Sequence, residues 1–122
     1  MTTEAAQRWA EQWIDDWNRH DVDAVLAHFA DDVEFSSPLV TQVMGHADGI
    51  VRGRDELRTY WTRALATRPD LRFDLVDVHV GAGCLAVRYR NQAGRVATEI
   101  EVFDADGLDG GKVVHGWALY GA

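Results

Sequence analysis

The chain has one cysteine, two prolines and no long apolar run among its 122 residues. The lone Cys84 excludes an internal disulfide, so a core must hold the fold, and it reads as a buried small residue rather than a nucleophile. No basic segment followed by an apolar one opens the chain, and nothing approaches the roughly twenty apolar residues of a membrane span. Basic side chains are also scarce: twelve Lys and Arg stand against twenty Asp and Glu, a net charge of −8. That balance lacks the clustered cations that grip phosphates, which argues against nucleic acid and against an anionic membrane surface. It repels anions at long range, so a neutral, mostly apolar small molecule is the expected ligand. A soluble cytoplasmic protein is the expectation, with one domain over 1–122.

What the chain does contain is periodicity. Trp9, Trp13 and Trp17 recur every fourth residue with Ala6, Ala10 and Ile14 beside them, the stripe of an amphipathic helix that runs from a Thr2 or Thr3 cap to about Asn18. Such rings either pack a core or line a cavity for a flat apolar ligand. After the NRHD corner, Asp21 caps a shorter helix with Val22, Val25, Leu26 and Phe29 on its buried side. In DDVEFSSP the period changes to two, with Val33, Phe35 and Ser37 on one face, and Pro38 ends the strand. Residues 39–53 read as a long connection or flap. A third helix carries Leu57, Tyr60, Trp61, Ala64 and Leu65 and stops before Pro69. LRFDLVDVHV, CLAVRYR, RVATEIEVF and KVVHGWALY then form an antiparallel meander joined by glycine-containing turns. Helices first and strands afterwards make an α+β domain, with no internal repeat or linker.

WNRHDVDAVLAHFADDVEF, the GRDELRTYW helix, and IEVF followed by KVVHGWALYG together resemble the SnoaL-like branch of the nuclear transport factor 2 superfamily, over nearly the whole chain. The resemblance implies three N-terminal helices packed on a strongly curved, mostly antiparallel sheet around a cone-shaped pocket, and a homodimer. It includes isomerases, polyketide cyclases, epoxide hydrolases and dehydratases, so it implies fold more sharply than reaction. Beside the ketosteroid isomerases, the general-base Asp position falls at Ser37, whose hydroxyl has no useful basicity near neutral pH. The pocket tyrosine falls at Trp13, and the oxyanion-stabilising Asp falls at Glu101. The isomerase's proton shuttle therefore does not carry over.

Glu101 is the candidate catalytic residue: the resemblance puts its face, shared with Glu99 and Phe103, inside the cone, where burial would raise its pKa. Patterning alone points the other way, because Val96, Thr98, Ile100 and Val102 form the more apolar face of that strand. Arg88 and Arg90 either stand opposite Glu99 and Glu101 or make salt bridges on the outer face. Trp13, Trp17, Phe35, Trp61 and Phe103 are the expected walls of the site, with Ser37 and Tyr120 orienting polar substituents. His20, His28, His46, His79 and His115 show no metal-ligand spacing, so no metal and no cofactor is expected. His79, sharing a face with Asp77, is the second choice as proton carrier, and His115 shares one with Trp117. DADGLDGG has the wrong spacing for a calcium loop, its twelfth position being His115, and reads as a turn. No phosphate-binding glycine motif is present. The expectation is a cofactor-independent acid-base enzyme for a neutral cyclic molecule, against a non-catalytic binding or dimerisation module of the same fold.

Overall fold

A computed structural model describes residues 2–104 and 111–121. The expected turn in DADGLDGG falls on 105–110, outside the described residues. Helix α1 spans Thr3–Asn18 and is capped by Thr2, whose side chain accepts from the Ala5 amide. Its apolar stripe is buried as the four-residue repeat requires: Ala6, Ala10 and Trp13 are inaccessible, and Trp17 is nearly so. Trp13 stacks on Phe73 at 5.9 Å and meets Tyr89 edge-on at 5.4 Å. Trp17 meets Trp61 edge-on at 5.1 Å. Asp16, on the same helix, is buried with polar partners, accepting from Gln12 at 2.9 Å, from Arg19, and facing His28 Nε2 at 2.9 Å. These bonds make a buried carboxylate tolerable and fasten α1 to the residues before the first strand.

Helix α2, Val22–Leu26, is capped by Asp21 as its sequence predicts. Phe29, expected on this helix, instead opens strand β1, Phe29–Ser36. The segment read as a flap holds two elements of its own. Ser37 is extended and caps helix α3, Pro38–Met44, so Pro38 both ends the strand and occupies the first helical turn, where its missing N–H costs nothing. Gly45 closes α3 in the left-handed conformation (φ 76°), and strand β2, Ile50–Arg52, returns antiparallel to β1. Helix α4, Arg54–Thr67, buries Leu57, Tyr60 and Trp61, and Trp61 packs against Phe29 and Phe35.

The remaining strands are β3 (Asp74–Gly81), β4 (Cys84–Arg90), β5 (Val96–Phe103) and β6 (Val113–Tyr120). They form the expected meander within a curved six-stranded sheet of order β2-β1-β6-β5-β4-β3, in which, among the described residues, the β1–β6 pair is parallel and the other pairs are antiparallel. The meander begins three residues later than LRFDLVDVHV suggests. Phe73 precedes β3, exchanging two backbone bonds with the Asn18 side chain at 2.7 and 2.9 Å, which pins the end of α1 to the sheet. The architecture is thus α+β with helices over a curved sheet, and the core lies between them.

Candidate functional site

The register of β5 decides what the core contains. Ala97, Glu99, Glu101 and Phe103 are buried, while Val96, Thr98, Ile100 and Val102 are only half-buried. The inward face is therefore the one bearing the two acids, against the apolar patterning. Glu101 is fully inaccessible and Glu99 is 5% exposed. Opposite them across the ladder stand small or apolar residues: Leu85 and Gly116 flank Glu101, and Val87 and Ala118 flank Glu99. Gly116 has a steric reason to lack a side chain. A Cβ there would lie 2.7 Å from the Phe35 ring and 2.9 Å from Glu101 Oε2, so its absence makes room for the carboxyl.

All three tyrosines of the chain feel the charge of Glu99, and Tyr89 that of Glu101 as well. Tyr60 reaches in from α4, Tyr89 from β4 and Tyr120 from the end of β6. Tyr60 donates a long hydrogen bond of 3.5 Å to Ser37 Oγ. Burial raises the pKa of Tyr60 and of Tyr89, with the charges of Tyr120 and Glu99 adding to both. Tyr120 keeps 42% of its surface in solvent, but burial around its hydroxyl raises its pKa too, against a lowering bond to Ser37 and with a contribution from Glu99. The three phenols stay protonated at neutral pH and can donate hydrogen bonds.

Burial pushes Glu99 up to about 7, even though a bond to Glu101 acts to lower it. The Glu101 carboxyl is driven well above the ordinary glutamate value, by burial first, then by the charge of Glu99 and a proton shared with it. No cation contributes to either shift. No other side chain donates to Glu99 Oε1 or to either Glu101 oxygen, all three of which are buried, and the buried indole nitrogens of Trp13 and Trp17 also lack partners. One proton between the carboxyls would join them, and the pair titrates as a unit. Buried polar atoms with unmade bonds are costly unless a ligand group or reacting atom meets them.

The other expected residues fall into two groups. Phe35 lies beside Glu101 at Gly116, Trp61 meets Phe35 edge-on at 5.6 Å, and Ser37 stands where β1 gives way to α3. Phe103 meets Trp9 edge-on at 5.5 Å and Trp17 packs with Trp61 and Phe73, so both belong to the ring-packed core. Trp13, too, is enclosed by rings on several sides, as the core reading of the tryptophan stripe requires. Arg88 does not join the acids. It lies opposite Thr98 on the outer face and makes a two-bonded pair with Asp77 at 2.6 and 2.8 Å. Arg90 donates to the Gly94 carbonyl in the adjoining turn. His79 is largely exposed beside Asp77 at 3.7 Å, and His115 stacks on Trp117 outside the sheet. Cys84, read as buried, is half-exposed at the start of β4, because the outward positions of that strand have no layer over them.

Tyr60 and Tyr89, which the sequence presents simply as apolar positions, are buried and feel the charge of Glu99. The signal was present for Tyr89, which alternates with Leu85 and Val87 and so shares the inward face. Among the described residues no cluster of three or more His, Cys, Asp or Glu is placed to hold a metal ion, and no helix is long and apolar enough to cross a membrane.

A curved six-stranded sheet with helices over a core that holds its polar groups is the nuclear transport factor 2-like, cystatin-like class of α+β protein. Within that class the chain belongs to the SnoaL-like domain family, whose model matches residues 10–116. A SnoaL-like protein of unknown function from Burkholderia thailandensis E264 is 38% identical, with 100% of this chain and 99% of that one covered and a TM-score of 0.89. A candidate isomerase of the SnoaL-like family from Agrobacterium tumefaciens C58 shares the fold at 13% identity (98% and 99% covered, TM-score 0.74). So does AclR of Streptomyces galilaeus, a candidate hydroxylase, at 18% identity (98% and 91% covered, TM-score 0.72). No curated protein sequence matches the chain.

Proposed function

We propose that this protein is a cofactor-independent acid-base enzyme acting on a neutral, largely apolar, cyclic small molecule. The observation that carries this reading is the Glu99–Glu101 pair: two carboxyls buried together in the core, with no cation contributing to their titration and no other side chain donating to Glu101. The division of labour follows from their environments. Glu101, the deeper acid, holds a proton at neutral pH and offers it to an oxygen on which negative charge develops. Glu99, titrating near neutrality, takes a proton from an activated carbon or from water and can return it elsewhere. The protonated phenols of Tyr60 and Tyr89 add donors, and Ser37 orients a polar substituent rather than acting as a base. Isomerisation, cyclisation, dehydration and hydrolysis all draw on this pair of roles. The net charge of −8 and a site without cations both disfavour an anionic substrate. Among the fold relatives, one is a candidate isomerase and another was crystallised with polyporic acid.

The test is exchange of α-hydrogens of 2-cyclohexenone in heavy water, followed by proton NMR. Catalysis by the native protein should fall at least about a hundredfold in both Glu99→Gln and Glu101→Gln, the scale of losing a positioned proton-transfer group. Unchanged exchange in both variants would remove the acid-base reading. A non-catalytic binding module is the second reading, favoured by Ser37 standing where the isomerases have their base. It has no catalysis to lose, and the same variants would still gain stability.

A further inference from the structure

Strands β1 and β6 run side by side only as far as the Ser36–Trp117 pair. There Ser37 and Pro38 turn the chain into α3, whereas β6 continues to Tyr120, paired with β5 alone. From Ala118 to Tyr120 the β1 side of β6 is a free edge inside a sheet. The turn is held open by structure: the Ser37 amide donates to the Gly49 carbonyl at 2.9 Å, so the α3 excursion closes on itself instead of lying along β6. The gap is a notch of about 620 Å³ bounded by Ser37, Pro38, Gly49, Trp117, Ala118 and Leu119. Because successive residues of a strand point to opposite faces, Trp117 and Leu119 belong to the outer side of the sheet and Ala118 to the inner side. The notch therefore has residues of both faces of the sheet on its rim.

It adjoins the polar site through Ser37 and Ala118. Ala118 lies directly opposite Glu99, the acid with residual exposure, and Ser37 accepts a hydrogen bond from the Tyr60 phenol. Its walls are chiefly apolar, with Pro38, Ile100, Trp117 and Leu119 on them and the small Ala47 and Gly49 at the rim. We propose that this notch is the entrance to the Glu99–Glu101 pair and the subsite for the apolar body of the substrate. The occupant is a neutral ring compound that carries a carbonyl or hydroxyl at one end. The ring rests on Pro38, Trp117 and Leu119, and Ser37 receives the polar end and directs it to Glu99. The proposal rests on the acids being the reacting groups, but access can be measured without turnover.

N,N′-Dicyclohexylcarbodiimide is a neutral apolar probe that attacks protonated carboxyls. The acid adds across one C=N bond, its proton going to nitrogen and its oxygen to the central carbon, and the O-acylisourea rearranges to an N-acylurea that keeps every atom. In a Cys84→Ser background, Ala47→Cys carries pyrenylmaleimide as a plug over the rim, and Arg8→Cys carries the same group on the exposed side of α1. At pH 6, peptide mass spectrometry should show the adduct at Glu99 earlier than at Glu101. The pyrene at position 47 should slow both at least tenfold, and the pyrene at position 8 should leave both rates as they were. Equal rates with the plug at position 47, or no adduct on either acid in the unplugged protein, would overturn the entrance. If labelling is blocked at position 47 while Glu99→Gln and Glu101→Gln lose no exchange activity, the entrance stands and the acid-base reading falls.

Discussion

At the scale of single residues, the site depends on what is absent beside Glu101 as much as on what is present. Gly116→Ala would force a methyl group against the Phe35 ring and the Glu101 carboxyl, neither of which has space to retreat in a closed core. The expected cost is about 1–3 kcal/mol of stability, read from the urea midpoint, together with loss of any activity that needs Glu101 in place. A substitution on the outer face should behave differently. Arg88 and Asp77 make a well-aligned pair, but both side chains stay more than a third exposed. Arg88→Ala should therefore cost less than about 1 kcal/mol and leave exchange catalysis intact. A large loss of activity in Arg88→Ala would return that residue to the site.

At the scale of elements, helices were legible because a four-residue stripe of large rings has only one way to be buried. Caps marked their ends: Thr2 and Asp21 accept bonds from the first-turn amides as their positions suggest. Strand β5 was ambiguous for a physical reason. Alternation specifies that two faces differ, and the half-covered outer face is apolar while the enclosed face carries acids, so hydrophobicity alone selects the wrong side. The resemblance, not the pattern, pointed Glu101 inward. The α3 excursion was illegible because seven residues with one buried side chain give too short a periodic signal, and its start depends on a serine cap that also reads as a strand residue. Ser37→Ala should remove the bond to the Leu39 amide and destabilise the fold by about 1 kcal/mol, whereas Ser37→Asp, which keeps an accepting cap, should recover part of it. Equal stability of all three proteins in urea would mean that the cap does not hold the turn.

At the scale of the whole molecule, the outer face of the sheet leaves Trp117 and Leu119 exposed beside half-buried Ile100 and Val102. We expect a second copy of the chain to cover it, which light scattering should report as a dimer mass at micromolar concentration; a monomer mass would contradict this. Since Trp117 and Ile100 also border the notch, that second copy would narrow the opening from outside. The buried acids give the fold a pH dependence of definite sign. Between the ordinary glutamate value of 4.5 and about 7, folded Glu99 retains a proton that the unfolded chain has released. The folded state thus binds more protons, so stability falls as pH rises through that window, and Glu101 extends the fall to higher pH. Glu99→Gln should flatten the curve and stabilise the protein at pH 8 by about 1–3 kcal/mol. The most direct measurement is a carbon-detected NMR titration of the glutamate side-chain carboxyls. One carboxyl of the pair should titrate near pH 7 while the other keeps its proton well above the ordinary range, with each Gln variant shifting its neighbour. Two independent transitions near pH 4.5 would contradict it.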